Sequence, residues 1–206
     1  DPSITDEEDE FIIQDYLVGV LGYGDAELES FYFNNGDYDK AFEYLEEMLA
    51  QDLGNVTVLY NYGGAKCNNG EYAEAEELFR RVYEMSPETG TIALYLGYAL
   101  EGQGKYEEAL EEFQNALDLS LGEVGEEEMD ICFYKAEAQY KLGDVDGPMA
   151  TYTAIIDFNE NAKAYFLRGN LYYSLGEEEK ALKDYAAALE NEKNNFIIRF
   201  CLFSFS

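Results

Sequence analysis

Histidine is absent from this 206-residue chain, and so is tryptophan. Without histidine the chain lacks the commonest general base and metal ligand, which counts against proton-transfer chemistry and against most zinc sites. Cysteine is scarce: Cys67, Cys132 and Cys201 are odd in number and widely spaced, so they form neither a disulfide framework nor a zinc pattern. Cys67 and Cys132 fall in segments read as helical, where a free thiol behaves as a small apolar residue. Positive charge is short as well, with 13 Lys+Arg against 44 Asp+Glu and a net charge of -31. That balance argues against nucleic acid, whose phosphates need clustered lysine and arginine, and against an anionic membrane surface. No apolar run is long enough to span a bilayer and no secretory leader is evident, so direct membrane insertion is not expected. Because the chain opens on Asp1 rather than Met, a leader or anchor removed upstream stays open, and the compartment is either cytoplasmic or reached by export.

What is present is ample for a core. Apolar residues make up 47% of the chain and aromatics 16%, enough to keep so acidic a sequence out of the disordered class. Residues 1–10 form an acidic leader. Residues 11–21 then read as a first helix, with Phe11, Ile12, Ile13, Tyr16, Leu17, Val20 and Leu21, halted by Gly22 and Gly24. Asp25 reads as the N-cap of a second helix that ends at Asn34-Asn35-Gly36.

From there a period governs the chain. Turn glycines recur at Gly36, Gly70, Gly104, Gly143 and Gly176, separated by 34, 34, 39 and 33 residues. Two residues after each glycine stand Tyr38, Tyr72, Tyr106, Val145 and Glu178. Five after it stand Ala41, Ala75, Ala109, Pro148 and Ala181. Nine after it stand Leu45, Phe79, Phe113, Tyr152 and Tyr185, and seven before it stand Glu29, Gly63, Gly97, Ala136 and Gly169. Each period is therefore two short helices about a tight turn, with small residues where the helices must approach closely. Such a pair cannot bury its apolar face alone, so stacking in line is required.

In these motifs the sequence resembles the tetratricopeptide repeat (TPR) family. Residues 56–89 carry Gly63, Gly70, Tyr72, Ala75, Phe79 and Pro87 in the family pattern, and 90–123 carry Leu96-Gly97, Tyr106, Ala109, Phe113 and Ala116. Residues 162–195 keep Tyr165, Gly169, Tyr172, Ala181, Tyr185 and Ala188. Residues 22–55 depart at Glu29, where a small residue is expected. Residues 129–161 depart at Pro148, tolerable in the first turn of a helix, and the stretch Gly122 to Glu128 lengthens the loop before them. The expected fold class is all-α, a right-handed α-solenoid of about five such units over 22–195. A helix precedes them, and an apolar capping segment, 196–206, follows.

No residue set reads as an enzyme site. Gly22-Tyr23-Gly24 fails as a dinucleotide loop at Glu27, and Gly104-Lys105 lacks the rest of a phosphate loop. Asp157, Asn159 and Asn161 imitate a calcium loop, but Ala162 and Arg168 replace its glycine and its bidentate glutamate. Asn55-Val56-Thr57 is formally a glycosylation sequon. Runs such as Glu107, Glu108, Glu111 and Glu112 read as the solvated face of their helix. The expectation is a protein with no catalytic residues, cofactor or metal.

In the family it resembles, the first helices of successive units line a concave groove that receives a peptide. Mapped through the period, the groove positions are Tyr60 and Gly64, then Leu94, Tyr98 and Glu101. Next come Phe133, Tyr134, Glu137 and Tyr140, then Phe166, Asn170 and Tyr173. Aromatics are prominent there, and aromatics anchor interfaces. Lys163 and Arg168 are the positive charges among mapped positions, too few for a clamp on a chaperone's C-terminal carboxylate. The resemblance thus implies a scaffold or adaptor for another protein or peptide carrying apolar anchors and some basic residues. Alternatives are self-assembly into a homo-oligomer through the apolar tail, or a binding region of a larger or surface-anchored protein.

Overall fold

A computed structural model describes residues 24–87, 89–120 and 125–191, and among them every regular element is an α-helix. The expected helix at 11–21, the acidic leader and the apolar segment 196–206 lie outside the described residues. In chain order the helices are α1 (Asp25–Asn34), α2 (Tyr38–Gln51), α3 (Val56–Asn68), α4 (Tyr72–Met85) and α5 (Gly90–Gly102). There follow α6 (Tyr106–Leu119), α7 (Glu126–Lys141), α8 (Asp146–Asn159), α9 (Ala162–Ser174) and α10 (Glu178–Asn191). The chain divides into two compact units, one ending at Gln103 with α1–α5 and the other beginning at Gly104 with α6–α10.

The glycine period is a backbone requirement. Gly36, Gly70, Gly104, Gly143 and Gly176 all take positive φ, between 75° and 87°, and each closes the first helix of a pair before the second begins. This is the left-handed conformation in which any side chain is strained. The small positions upstream answer to packing instead. A methyl group at Gly63 would lie 2.7 Å from the Phe79 ring, and one at Gly169 would lie 2.7 Å from the ring of Tyr185. In those two pairs the residue nine after the turn is a ring that fills the space the residue seven before it leaves empty.

Helix starts are set by short polar side chains. Asn55 Oδ1 accepts the Val58 N–H (3.1 Å) to open α3, and Asn161 Oδ1 accepts the Ala164 N–H (3.0 Å) to open α9. Asp25 is not the cap expected of it. It is the first helical residue of α1, and Gly24 precedes the helix with its N–H on Glu27 Oε2 (3.1 Å). The carboxylate of Glu27, in the first turn, reaches back to the N–H of Gly24, and among the described residues no side chain caps the first-turn N–H groups as Asp25 was expected to do. Of the stretch read as a lengthened loop, Glu126, Glu127 and Glu128 are the first turn of α7, where acids oppose the macrodipole. Pro148 sits fully buried in the first turn of α8, where no N–H is needed.

In the first unit α1 packs on α2, α2 on α3, α3 on α4 and α4 on α5, and α3 also meets α5. Its main core joins Phe42, Leu45, Leu49, Val58, Leu59 and Tyr62 with Leu78, Val82 and Ile92. In the second unit α6 packs on α7, α7 on α8, α8 on α9 and α9 on α10. Phe133, Ala136, Tyr152, Ile155, Ile156, Ala164 and Leu171 form its core. Among the described residues no helix is long and apolar enough to cross a membrane.

Candidate functional site

Charged groups inside the core are few, and two of the three are fully compensated. Lys66 is buried, yet its Nζ meets Glu71 at 2.5 Å and Glu74 at 2.8 Å and lies 4.0 Å over the Phe42 ring. Burial alone would lower its pKa, but the two carboxylates outweigh burial and raise it, so the ammonium is held charged. Asp184 takes a bidentate grip from Arg168, Nε to Oδ2 at 2.7 Å and Nη2 to Oδ1 at 2.9 Å, with Thr153 accepting a third bond at 3.1 Å. The repeat period maps Arg168 to the groove as a source of positive charge. It is instead spent within the helix packing, pinning α9 to α10 and α8.

The third is Glu29, on α1. It is 9% exposed, and the Ser30 hydroxyl donates to its Oε2 at 3.2 Å. Burial pushes its carboxyl above the ordinary carboxylate range, and the serine hydroxyl pulls weakly the other way.

Glu29 opens on a cavity of about 300 Å³ built by the first helices of three consecutive pairs. Glu29, Ser30, Phe33 and Asn34 come from α1, and Tyr60, Asn61, Gly64 and Asn68 from α3. Tyr95 and Tyr98 come from α5. Tyr60 and Tyr95 meet edge to face, their centroids 5.2 Å apart and their planes at 87°. Gly64 keeps the wall open, since a methyl group there would meet nothing within 4 Å. Of the groove residues expected in this unit, Tyr60, Gly64 and Tyr98 line the cavity, while Leu94 and Glu101 do not. Tyr95 was missed, although it stands one turn before Tyr98 on the same helix. So was Glu29, whose signal was its misfit with the repeat.

A second cavity, of about 290 Å³, lies in the other unit. Helix α7 contributes Phe133, Tyr134, Glu137, Tyr140 and Lys141, α8 contributes Tyr152, and α9 contributes Lys163, Leu167, Asn170 and Leu171. Five expected residues, Phe133, Tyr134, Glu137, Tyr140 and Asn170, come together here. Phe133 is mostly core, packed 6.0 Å from Tyr152 and covered by the Lys163 ammonium at 4.2 Å. Tyr134 stacks on Phe113 at 5.9 Å. Asn170 Oδ1 accepts the Tyr185 hydroxyl (2.9 Å), which aims its amide. Phe166 packs on Tyr185 (5.8 Å) and Tyr173 is 66% exposed; neither lines the cavity. Lys163 also reaches Asp130 at 3.6 Å, so this cavity mixes both signs of charge on an aromatic floor.

Among the described residues no group of three or more Cys, Asp or Glu side chains could hold a metal ion. Asp157 and Asn159 lie in the last turn of α8 and Asn161 caps α9, a helix junction and not a calcium loop. Cys67 is buried, and burial pushes its thiol up to about 12, far from a reactive thiolate.

Family models described as tetratricopeptide repeat match residues 32–88, 65–124, 94–161 and 162–195. No curated protein matches the sequence. Among solved structures, a MamA fragment (41-end) from Desulfovibrio magneticus RS-1 superposes with a TM-score of 0.70 at 17% identity, over 84% of this chain and 95% of that one. YrrB, described as a TPR protein with an unusual peptide-binding site, superposes with a TM-score of 0.60 at 20% identity, over 81% of this chain and 84% of that one. A tetratricopeptide repeat protein from Parabacteroides merdae gives 0.67 at 21% identity, over 90% of this chain and 72% of that one. At these identities the structures speak for the fold alone. The repeat models together run from residue 32 to 195, over the helix pairs, so the chain belongs to the tetratricopeptide repeat family and has its all-α solenoid fold.

Proposed function

We propose that the protein is a non-catalytic scaffold that binds a polypeptide segment along the first helices of its repeats. The observation that carries this is the cavity between α7 and α9, lined by Tyr134, Glu137 and Tyr140 from one helix and Lys163 and Asn170 from the other. Rings give a polypeptide apolar anchor points, the asparagine amide can donate to and accept from its backbone, and the mixed charges select among side chains. The cavity between α1, α3 and α5 repeats the pattern with Tyr60, Tyr98 and three asparagines. A family built for interaction, and a structural neighbour described by its peptide-binding site, support the same reading.

The test is selection of binders from a random-peptide display library, followed by fluorescence anisotropy. Tyr140 is exposed, so Tyr140→Ala combined with Asn170→Ala removes groove chemistry while sparing the core. Selected peptides are expected to lose affinity by about tenfold or more. Charge removal at Glu107 and Glu111 on α6 should leave them unaffected. Peptides indifferent to the groove pair, or sensitive to the α6 changes alone, would refute the proposal.

A further inference from the structure

Three charged side chains are buried among the described residues, and Glu29 alone lacks a counter-ion there. Lys66 has Glu71 and Glu74, and Asp184 has Arg168. Glu29 has a hydroxyl from its own neighbour, and no described lysine or arginine lies within ion-pair distance of it. A desolvated carboxylate without a cation is costly, and repeats elsewhere in this chain put Gly63, Gly97, Ala136 or Gly169 at the same position. Glu29 lines a cavity that is also lined by a corner of tyrosine rings, Tyr60 against Tyr95, together with Tyr98. Ring faces and a carboxylate attract the same kind of group, and the net charge of -31 favours its approach.

The geometry points to a subsite for a cationic side chain: the cavity between α1, α3 and α5 takes the guanidinium or ammonium group of an arginine or lysine in a bound polypeptide, with Glu29 as its counter-ion. This rests on the polypeptide-binding reading above and assigns one of its pockets a ligand chemistry.

The probe is n-propylguanidinium chloride, with neutral N-propylurea as its isostere, titrated at constant ionic strength into isotope-labelled protein and followed by amide NMR. The cation is expected to shift the Ser30, Asn61 and Gly64 amides saturably, and the urea to need at least about ten times the concentration. Glu29→Gln, an isosteric change that circular dichroism should show folded, is expected to raise the guanidinium midpoint by a similar factor. Glu29→Ala, which restores the small residue of the other repeats, should do the same. Non-saturating shifts spread over the acidic helices, equal response to the two probes, no response at all, or an unchanged midpoint in both variants would overturn the assignment. A selected peptide that is lost in the Tyr140→Ala, Asn170→Ala protein yet unmoved by Glu29→Gln would sink this subsite and leave polypeptide binding standing.

Discussion

At the residue scale, Glu29 sets a conflict between stability and charge. Its folded pKa lies above the ordinary carboxylate value because burial disfavours the anion. The native state therefore holds that proton more tightly than the unfolded chain does. The penalty is fully present above the folded pKa and fades as pH falls through it toward the unfolded value. Glu29→Gln is expected to stabilise the protein by on the order of 1 kcal/mol near pH 8, with the advantage shrinking toward pH 4.5. Urea midpoints for the two proteins at both pH values check this; an advantage that grew on acidification would contradict it. Individual residues were also where the sequence was least legible. The period identified Glu29 as a misfit but could not say that it is buried against a cavity. Arg168 was read as groove charge because its helical register faces that way. Only the position of Asp184 on the next helix, 2.7 Å away, reveals its use.

Elements were read more faithfully, because their signals are local. The five turn glycines declare themselves in sequence because a side chain is strained at their φ, and all five adopt it. The segments between them alternate helix pairs as the period requires. Boundaries moved where α1 starts at Asp25 with Glu27 bonded back to the Gly24 N–H, and where Glu126–Glu128 joined a helix early. The groove candidates share helices with the residues that line the two cavities, but a face is wider than a cavity. Leu94, Glu101, Phe166 and Tyr173 share helices with the lining residues and still fall outside. The asparagine that opens α9 gives an element-scale expectation. Asn161→Ala loses the bond to the Ala164 N–H and should cost about 1 kcal/mol. Asn161→Asp keeps an acceptor at a helix N-terminus and should recover it, as measured by urea unfolding.

For the whole molecule the dominant quantity is charge. With 44 acids against 13 bases, most carboxylates face others of their kind, and the compact chain confines them. Screening relieves the native state more than the expanded one. Thermal unfolding followed by circular dichroism is therefore expected to shift to higher temperature between low ionic strength and about 1 M sodium chloride. A melting temperature that fell would show the attractive pairs, such as Lys66 with Glu71 and Glu74, outweighing the repulsion.

The repeats also carry a history of permitted changes. In α3–α4 and α9–α10 a ring occupies the space beside the small residue, so any side chain at Gly63 or Gly169 collides at 2.7 Å. In α1–α2 the ring position holds Leu45, and there the chain accommodates a glutamate. The two positions are coupled: α7–α8 holds the methyl of Ala136 beside the ring of Tyr152, but a side chain as large as glutamate needs the ring to shrink first. Gly63→Glu alone should fail to yield folded protein, whereas Gly63→Glu with Phe79→Leu should fold, which makes the leucine the permissive step for grafting a buried acid into another repeat.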